Sequence, residues 1–292
     1  MSRKYLIQFG VTFLCCLLPS TAIRGGTYAD SSRTPIVSAR IHGQLGNNLF
    51  QVATAYALAK DNHVVARFAQ VPPELAKHVF FRCKLVPTIP GISCIYREPI
   101  ASYQKITYHP NMQLDGYFQS EKYFAHHRKE LLKLLAPRSD DLAYIKRKYK
   151  RILRHPNSVG VQIRFYKWED SKSEIYPQYG MDYLKKAMAL FPKSALFVVS
   201  SNNIEYARKS IPAWAKKRVV LLQNEPNYID LRILSMCKHN IITNSSFGWW
   251  GAWLNTNPKK TVVYPRPLFY GLLTQDYAPK SWRGVNALPD KN

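Results

Sequence analysis

Acidic residues are scarce in this chain. Its 292 residues include 18 Asp and Glu against 42 Lys and Arg, a formal net charge of +24. Such a surface attracts polyanions, whether nucleotide diphosphates, anionic lipid surfaces, acidic glycans or nucleic acid. No nucleic-acid-binding motif accompanies the basic residues, so no specific nucleic-acid partner is expected. Cysteine is rare too. Of five, Cys15 and Cys16 lie in a candidate targeting segment, Cys83 and Cys94 could close a short loop in an oxidising compartment, and Cys237 would stay unpaired. No Cys/His spacing resembles a zinc site, and the His126-His127 pair reads as surface rather than ligand. No internal repeat or low-complexity tract is visible, and a hydrophobic content of 46% supports a large core, most simply in two lobes, rather than dominant disorder.

One long uncharged run is present. Tyr5 to Ile23 follows Arg3-Lys4 and ends before Arg24, the pattern of a membrane-targeting segment with its basic end left in the cytoplasm. A cleaved signal peptide and a retained signal anchor both fit, and Pro19 leans toward cleavage. Residues 1–29 are therefore read as signal peptide or signal anchor and 30–35 as a stem. Either reading places the protein at a membrane or in the secretory pathway, with a membrane contact through the N-terminal segment. A second basic feature, Lys146 to Arg151 with Arg154 beyond, follows Ser139-Asp140-Asp141. It reads as one helix with a Ser N-cap, acids in the first turn and bases in the last. A polyanion-binding or membrane-surface role is the alternative.

The organisation is α/β. Ile36 to Ile41 reads as a buried strand, His42 to Asn47 as a Gly-containing turn, Asn48 to Lys60 as a helix and Val64 to Phe68 as a second strand. The Pro-rich stretch from Val71 to Tyr108 resists assignment. A strand at Met112 to Phe118 and a helix at Glu121 to Leu135 follow. Further strands are expected at Val159 to Phe165, Ala195 to Ser201, Val219 to Leu222, Asn240 to Thr243 and Thr261 to Tyr264. Helices near Met181 to Phe191, Ile204 to Ile211, Tyr228 to Cys237 and Phe247 to Leu254 separate them, which implies a doubly wound sheet. The break at His155-Pro156-Asn157 sets two Rossmann-type lobes, 36–155 and 156–292.

Ligands of such sheets bind beyond the carboxyl ends of the strands. Three places there carry chemistry. Strand alternation puts Gln162 and Arg164 on one face, with a guanidinium fork suited to phosphate; a surface ion pair with Glu169 or Asp170 is the alternative. Asn244-Ser245-Ser246-Phe247 stands at a strand-to-helix junction, where hydroxyls beside helix N–H groups form a phosphate cradle or a plain N-cap. Ser200-Ser201-Asn202-Asn203 offers amides and hydroxyls for a base or ribose edge, or ordinary turn chemistry. Asp230 would meet a ribose hydroxyl or stabilise a helix N-terminus.

These residues add up to a resemblance. Gly43-Gln44-Leu45-Gly46-Asn47-Asn48-Leu49-Phe50-Gln51 resembles the N-terminal signature of the family 11 glycosyltransferases, the α-1,2-fucosyltransferases. Gly116 to Phe124 is similar to that family's middle segment. Leu234 to Ile242 and Asn244 to Asn255 are similar to its C-terminal block. One stretch departs: the family's H-x-R-R-G-D motif aligns with Gln162-Ile163-Arg164-Phe165-Tyr166-Lys167, where only the first Arg survives.

The resemblance implies a GT-B architecture. The C-terminal lobe would hold GDP-fucose and the N-terminal lobe would present a β-galactoside. Fucose would move, with inversion, to a hydroxyl of the acceptor glycan, the 2-OH of the galactoside. Gln162, Arg164, Asn202, Asp230, Ser245, Ser246 and Phe247 are the donor-side candidates. Gly43, Gly46, Asn47, Asn48 and Gln51 are the cleft-loop candidates. No D-x-D segment precedes a donor strand, so no metal or other cofactor is expected. Candidate bases for the acceptor hydroxyl are Glu169, Asp170 and Asp115. A transferase with another donor or acceptor and a silent glycan- or polyanion-binding homologue are the competing readings.

Overall fold

The computed structural model describes residues 34–167, 175–271 and 274–287. The Tyr5 to Ile23 segment lies outside the described residues, as do Glu169 and Asp170. Among the described residues, no helix is long and apolar enough to cross a membrane. Residues 34–292 form one compact contact unit.

The first half builds a four-stranded parallel sheet. Ile36–Ala39 (β1) is buried along its whole length and leads into Leu45–Asp61 (α1). Gly43 makes that turn at φ +79, a conformation that costs a side-chain-bearing residue energy. Val65–Ala66 (β2) returns beside β1. After Pro73–His78 (α2), Cys94–Arg97 (β3) and Met112–Asp115 (β4) complete the order β2-β1-β4-β3. Strand β3 lies in the Pro-rich stretch that resisted assignment. It alternates half-buried with exposed residues, so it lacks the apolar run that marks a central strand. The disulfide expectation is corrected: Cys83 and Cys94 are both free. Burial pushes the Cys83 thiol up to about 12, so it stays a protonated apolar group.

Between the sheets, the helix expected over Glu121 to Leu135 is two short 3-10 turns followed by Arg128–Leu134 (α3). The basic helix is also corrected. Ser139–Lys148 (α4) has Arg138 at its N-cap, the Ser139 hydroxyl bonds Asp140 instead of capping, and the chain breaks at Tyr149 before Lys150–Arg154 (α5). Asp140 and Asp141 in the first turn and Lys146, Arg147 and Lys148 in the last do complement the helix dipole.

The second half builds a six-stranded parallel sheet from Ser158–Ile163 (β5), Leu196–Ser201 (β6), Val219–Leu221 (β7), His239–Ile241 (β8), Val262–Arg266 (β9) and Arg283–Asn286 (β10). Met181–Met188 (α6), Ile204–Ser210 (α7), Asn227–Met236 (α8) and Ser246–Leu254 (α9) provide the helical crossovers. The strand order, β10-β9-β8-β5-β6-β7, is that of a doubly wound dinucleotide fold, with its direction of winding reversing between β5 and β8. All six residues of β5 are buried, as expected of the central strand. Strand β10 was not foreseen; it is an edge strand of exposed and half-buried residues.

The two sheets share a core through α1 and α9. Phe50 of α1 lies 4.5 Å from Trp249 and 5.2 Å from Trp250 of α9, and Phe124 stacks on Trp250 at 5.4 Å. Helix α9 is buried from Gly248 to Leu254. Helices apolar all round belong in interiors rather than at surfaces, which is why this Trp-rich run sits between the sheets.

Candidate active site

A cleft of about 630 Å³ opens at the carboxyl ends of β5, β6 and β8, where the winding reverses. Its opposite wall is the turn between β1 and α1 together with Tyr117 and Gln119 beyond β4. Ten of the twelve donor-side and cleft-loop candidates line it: Gly43, Gly46 and Asn47 on that wall, and Gln162, Arg164, Asn202, Asp230, Ser245, Ser246 and Phe247 on the other.

Their individual roles differ. Among the described residues Arg164 is the only cation lining the cleft. Its guanidinium lies 5.3 Å from the centre of the Tyr166 ring, and the Tyr166 hydroxyl donates to the Asn244 carbonyl at 3.1 Å. Tyr176 packs on Tyr166 at 5.0 Å and on Phe269 at 5.3 Å, so an aromatic wall backs the arginine. Burial raises the Tyr166 phenol, and the neighbouring Arg164 only partly opposes the shift, so it stays a neutral donor. Tyr166 was not among the candidates, although Gln162, Arg164 and Tyr166 follow the alternation of an extended chain.

Gln162 is buried in the cleft wall and its amide oxygen is already engaged within the protein. That oxygen accepts from Thr243 at 2.9 Å, and Thr243 in turn accepts from the Arg164 N–H at 3.2 Å. This relay ties the ends of β5 and β8 together. Gly248 sits so close to Gln162 that a Cβ there would meet the amide oxygen at 2.8 Å, which explains a glycine inside α9. Asn202 is likewise engaged: its side chain accepts from the Phe165 N–H at 2.8 Å and donates to the Phe165 carbonyl at 2.9 Å. It clips two loops together.

Asp230 is different. Ser200 donates to one of its carboxylate oxygens at 2.6 Å, while the other is buried and has no hydrogen-bond partner. Burial pushes its pKa up to about 6, with the Ser200 bond opposing. An acceptor oxygen without a donor, in the wall of a cleft, is a place for a ligand N–H or O–H. Asn244 also keeps a buried amide oxygen unpartnered.

Ser245 occupies the N-cap position of α9 but makes no side-chain capping bond, so the plain-cap reading is corrected. Ser246 does not cap either; its hydroxyl donates to Asn47 at 2.9 Å. Within α9 the first N–H to find a helical partner is that of Trp249, which bonds the Ser245 carbonyl. The N–H groups of residues 246 to 248 thus lack partners inside the helix. Asn244, at 2% exposure, is too enclosed for the glycosylation its sequon would signal.

The facing loop is a scaffold. Asn47 accepts from both Gln119 and Ser246 at 2.9 Å. A Cβ on Gly46 would meet the Phe247 nitrogen at 2.5 Å, so the loop rides directly on the start of α9. Asn48 and Gln51 do not line the cleft. Asn48 donates to the His42 carbonyl at 2.9 Å and Gln51 to the Gly116 carbonyl at 3.2 Å, holding the loop from behind. Asp115 does not line it either. Its carboxylate pairs with Arg40 at 3.4 Å and Arg97 at 3.8 Å across the end of the first sheet.

Residues 94–285 match the family model described as glycosyl transferase family 11. The chain belongs to that family. It is accordingly a glycosyltransferase, and similar proteins agree in kind. An α-1,2-colitosyltransferase of Escherichia coli is 24% identical over 85% of this chain and 98% of its own length. A galactoside α-(1,2)-fucosyltransferase 2 of Oryctolagus cuniculus is 28% identical over 73% of this chain and 65% of its own length. Among solved structures, the fucosyltransferase NodZ from Bradyrhizobium superposes with a TM-score of 0.51 at 14% identity, covering 75% of this chain and 92% of that one. A mutant of Arabidopsis thaliana FUT1 in complex with GDP gives 0.54 at 11% identity, covering 81% and 71%. The family 11 chain thus has the GT-B fold of those fucosyltransferases.

Proposed function

We propose that this family 11 glycosyltransferase moves fucose from GDP-fucose, with inversion, to the 2-OH of a β-galactoside in an acceptor glycan. The observation that carries the proposal is the convergence of Arg164 and the start of α9 on one cleft at the winding reversal. A sugar leaving its diphosphate passes through an oxocarbenium-like state while negative charge grows on the β-phosphate. The Arg164 guanidinium, backed by Tyr166, and the N–H groups at residues 246–248, which have no partners inside the helix, are donors placed to receive that charge. Asp230, with its unpartnered oxygen, would take a hydroxyl or N–H of the nucleoside.

Charge is then managed by protein groups, and transfer should persist in excess chelator. Deprotonation of the acceptor hydroxyl is assigned to Glu169 or Asp170, since Asp115 is held by two arginines. The N-terminal uncharged run would place the enzyme at a membrane or in the secretory pathway, which cell fractionation of the full-length chain tests.

A second reading is transfer of another nucleotide-linked sugar. The E. coli relative covered over 98% of its length is named a colitosyltransferase, which favours it. Screening the protein without its first 33 residues against several nucleotide sugars, with a galactoside acceptor, separates the two. Transfer from GDP-fucose supports the first reading, transfer from a different donor replaces it, and donor binding without transfer leaves a glycan-binding homologue.

A further inference from the structure

Helix α1 has two ends. Its first turn lines the cleft, and its last residue, Asp61, lies about 24 Å away along the axis at 1.5 Å per residue. There the carboxylate meets two histidines that are distant in sequence. One Asp61 oxygen is 2.7 Å from His127 Nε2 and the other 3.0 Å from His126 Nε2. The imidazoles belong to the 3-10 turn Ala125–His127 that precedes α3, and their ring centres are 4.4 Å apart. One ligand atom from each of the three side chains falls within 4.8 Å of the other two.

We propose that Asp61, His126 and His127 bind a divalent cation of the zinc class, joining the end of α1 to the turn before α3. Two imidazole nitrogens and a carboxylate oxygen are a donor set suited to first-row divalent ions, zinc above all. Bonds of about 2.0–2.2 Å in tetrahedral geometry place ligand atoms about 3.3 Å apart, so the three side chains, whose ligand atoms lie within 4.8 Å of one another, draw in by at most about 1.5 Å around the ion. The carbonyl end of α1 adds a favourable field for positive charge. His126 and Asp61 are about half exposed and His127 is more enclosed, which gives the ion a route in and leaves a fourth position for water. None of the three lines the cleft, so the site holds structure and takes no part in donor chemistry.

The test uses protein stripped with EDTA, dialysed and titrated with zinc chloride at pH 7.5 by calorimetry, with Tm measured in parallel. The expected result is one equivalent of saturable zinc and a Tm raised by about 3 °C or more. Asp61→Asn and His126→Ala should each weaken the binding at least tenfold, with circular dichroism checking the fold and His126→Gln replacing the alanine variant if it unfolds. A Cys83→Ser/Cys94→Ser double variant should bind as before, which separates the site from thiol capture. No saturable uptake below 100 μM, or uptake unchanged in both ligand variants, would overturn the proposal and leave a hydrogen-bonded triad.

Discussion

The two walls of the cleft are both polar, but they use their polarity differently. On the first-sheet wall Asn47 accepts from two neighbours, and behind it Gln51 reaches the Gly116 carbonyl while half-buried Glu98 accepts from the N–H groups of Tyr117 and Phe118. On the second-sheet wall, Asp230 and Asn244 each keep a buried oxygen unpartnered, Ser245 leaves its helix uncapped, and Arg164 has an aromatic backing but no carboxylate partner among the described residues. Buried polar groups are ordinarily satisfied. Behind the first-sheet wall Asn48 Oδ1 also stays unpartnered, but Asn47 and Gln119, which line that wall, bond each other and α9; that wall is therefore scaffold, and the wall with spare capacity in its own lining is where a charged nucleotide fits.

The largest way to break this comparison is Arg164→Ala. It should lower turnover by about 10²- to 10³-fold, the scale of removing one donor to developing charge, while Tm stays close to wild type. Arg164→Lys should rescue little, because an ammonium neither stacks on Tyr166 in the same way nor offers a fork. Ser245→Ala comes next. With no capping bond to lose, its Tm should barely move, while turnover per folded molecule falls by about 10²-fold if the hydroxyl meets the diphosphate. A Tm loss with normal turnover would return Ser245 to a structural role.

On the scaffold wall the expected effects are on stability. Gly46→Ala puts a methyl 2.5 Å from the Phe247 nitrogen, and overpacking of this kind costs about 1–3 kcal/mol. Thermal unfolding should show that loss, together with lower activity as the loop lifts off α9.

The smallest effect is the most discriminating. Asp230 is held up to about 6 by burial, above its ordinary value of 3.8, so the native state retains a proton that the unfolded state has released. Stability therefore falls as pH rises through that window. Asp230→Asn should raise Tm, most above pH 6 and less as pH drops toward 4, while weakening donor binding. A variant stabilised equally at every pH would contradict the burial account.

Much of this was legible in the residues. The doubly wound class followed from apolar strands alternating with helices, and Arg164 and Asp230 from their places just past strand ends or in the first turn of a helix. Strands β3 and β10 escaped because they are exposed and carry no apolar run. What a side chain does in the cleft was less legible. Gln162, Asn202 and Asn47 look like ligand-binding amides in sequence, yet their partners Thr243, Phe165 and Ser246 lie far along the chain. Asp61 meets His126 and His127 for the same reason, through folding alone. Tyr166 continues the period-two pattern of Gln162 and Arg164, but it lies past the end of β5, where a sequence carries no sign that the extended backbone goes on.

The most direct measurement is calorimetric titration of GDP into wild type, Arg164→Ala, Asp230→Asn and Asn47→Ala. If the second-sheet wall is the donor site, the first two variants lose at least tenfold in affinity at unchanged fold, and Asn47→Ala binds GDP nearly as wild type while melting earlier. GDP affinity that survives in both Arg164→Ala and Asp230→Asn, or that collapses only in Asn47→Ala, would contradict the assignment of the walls.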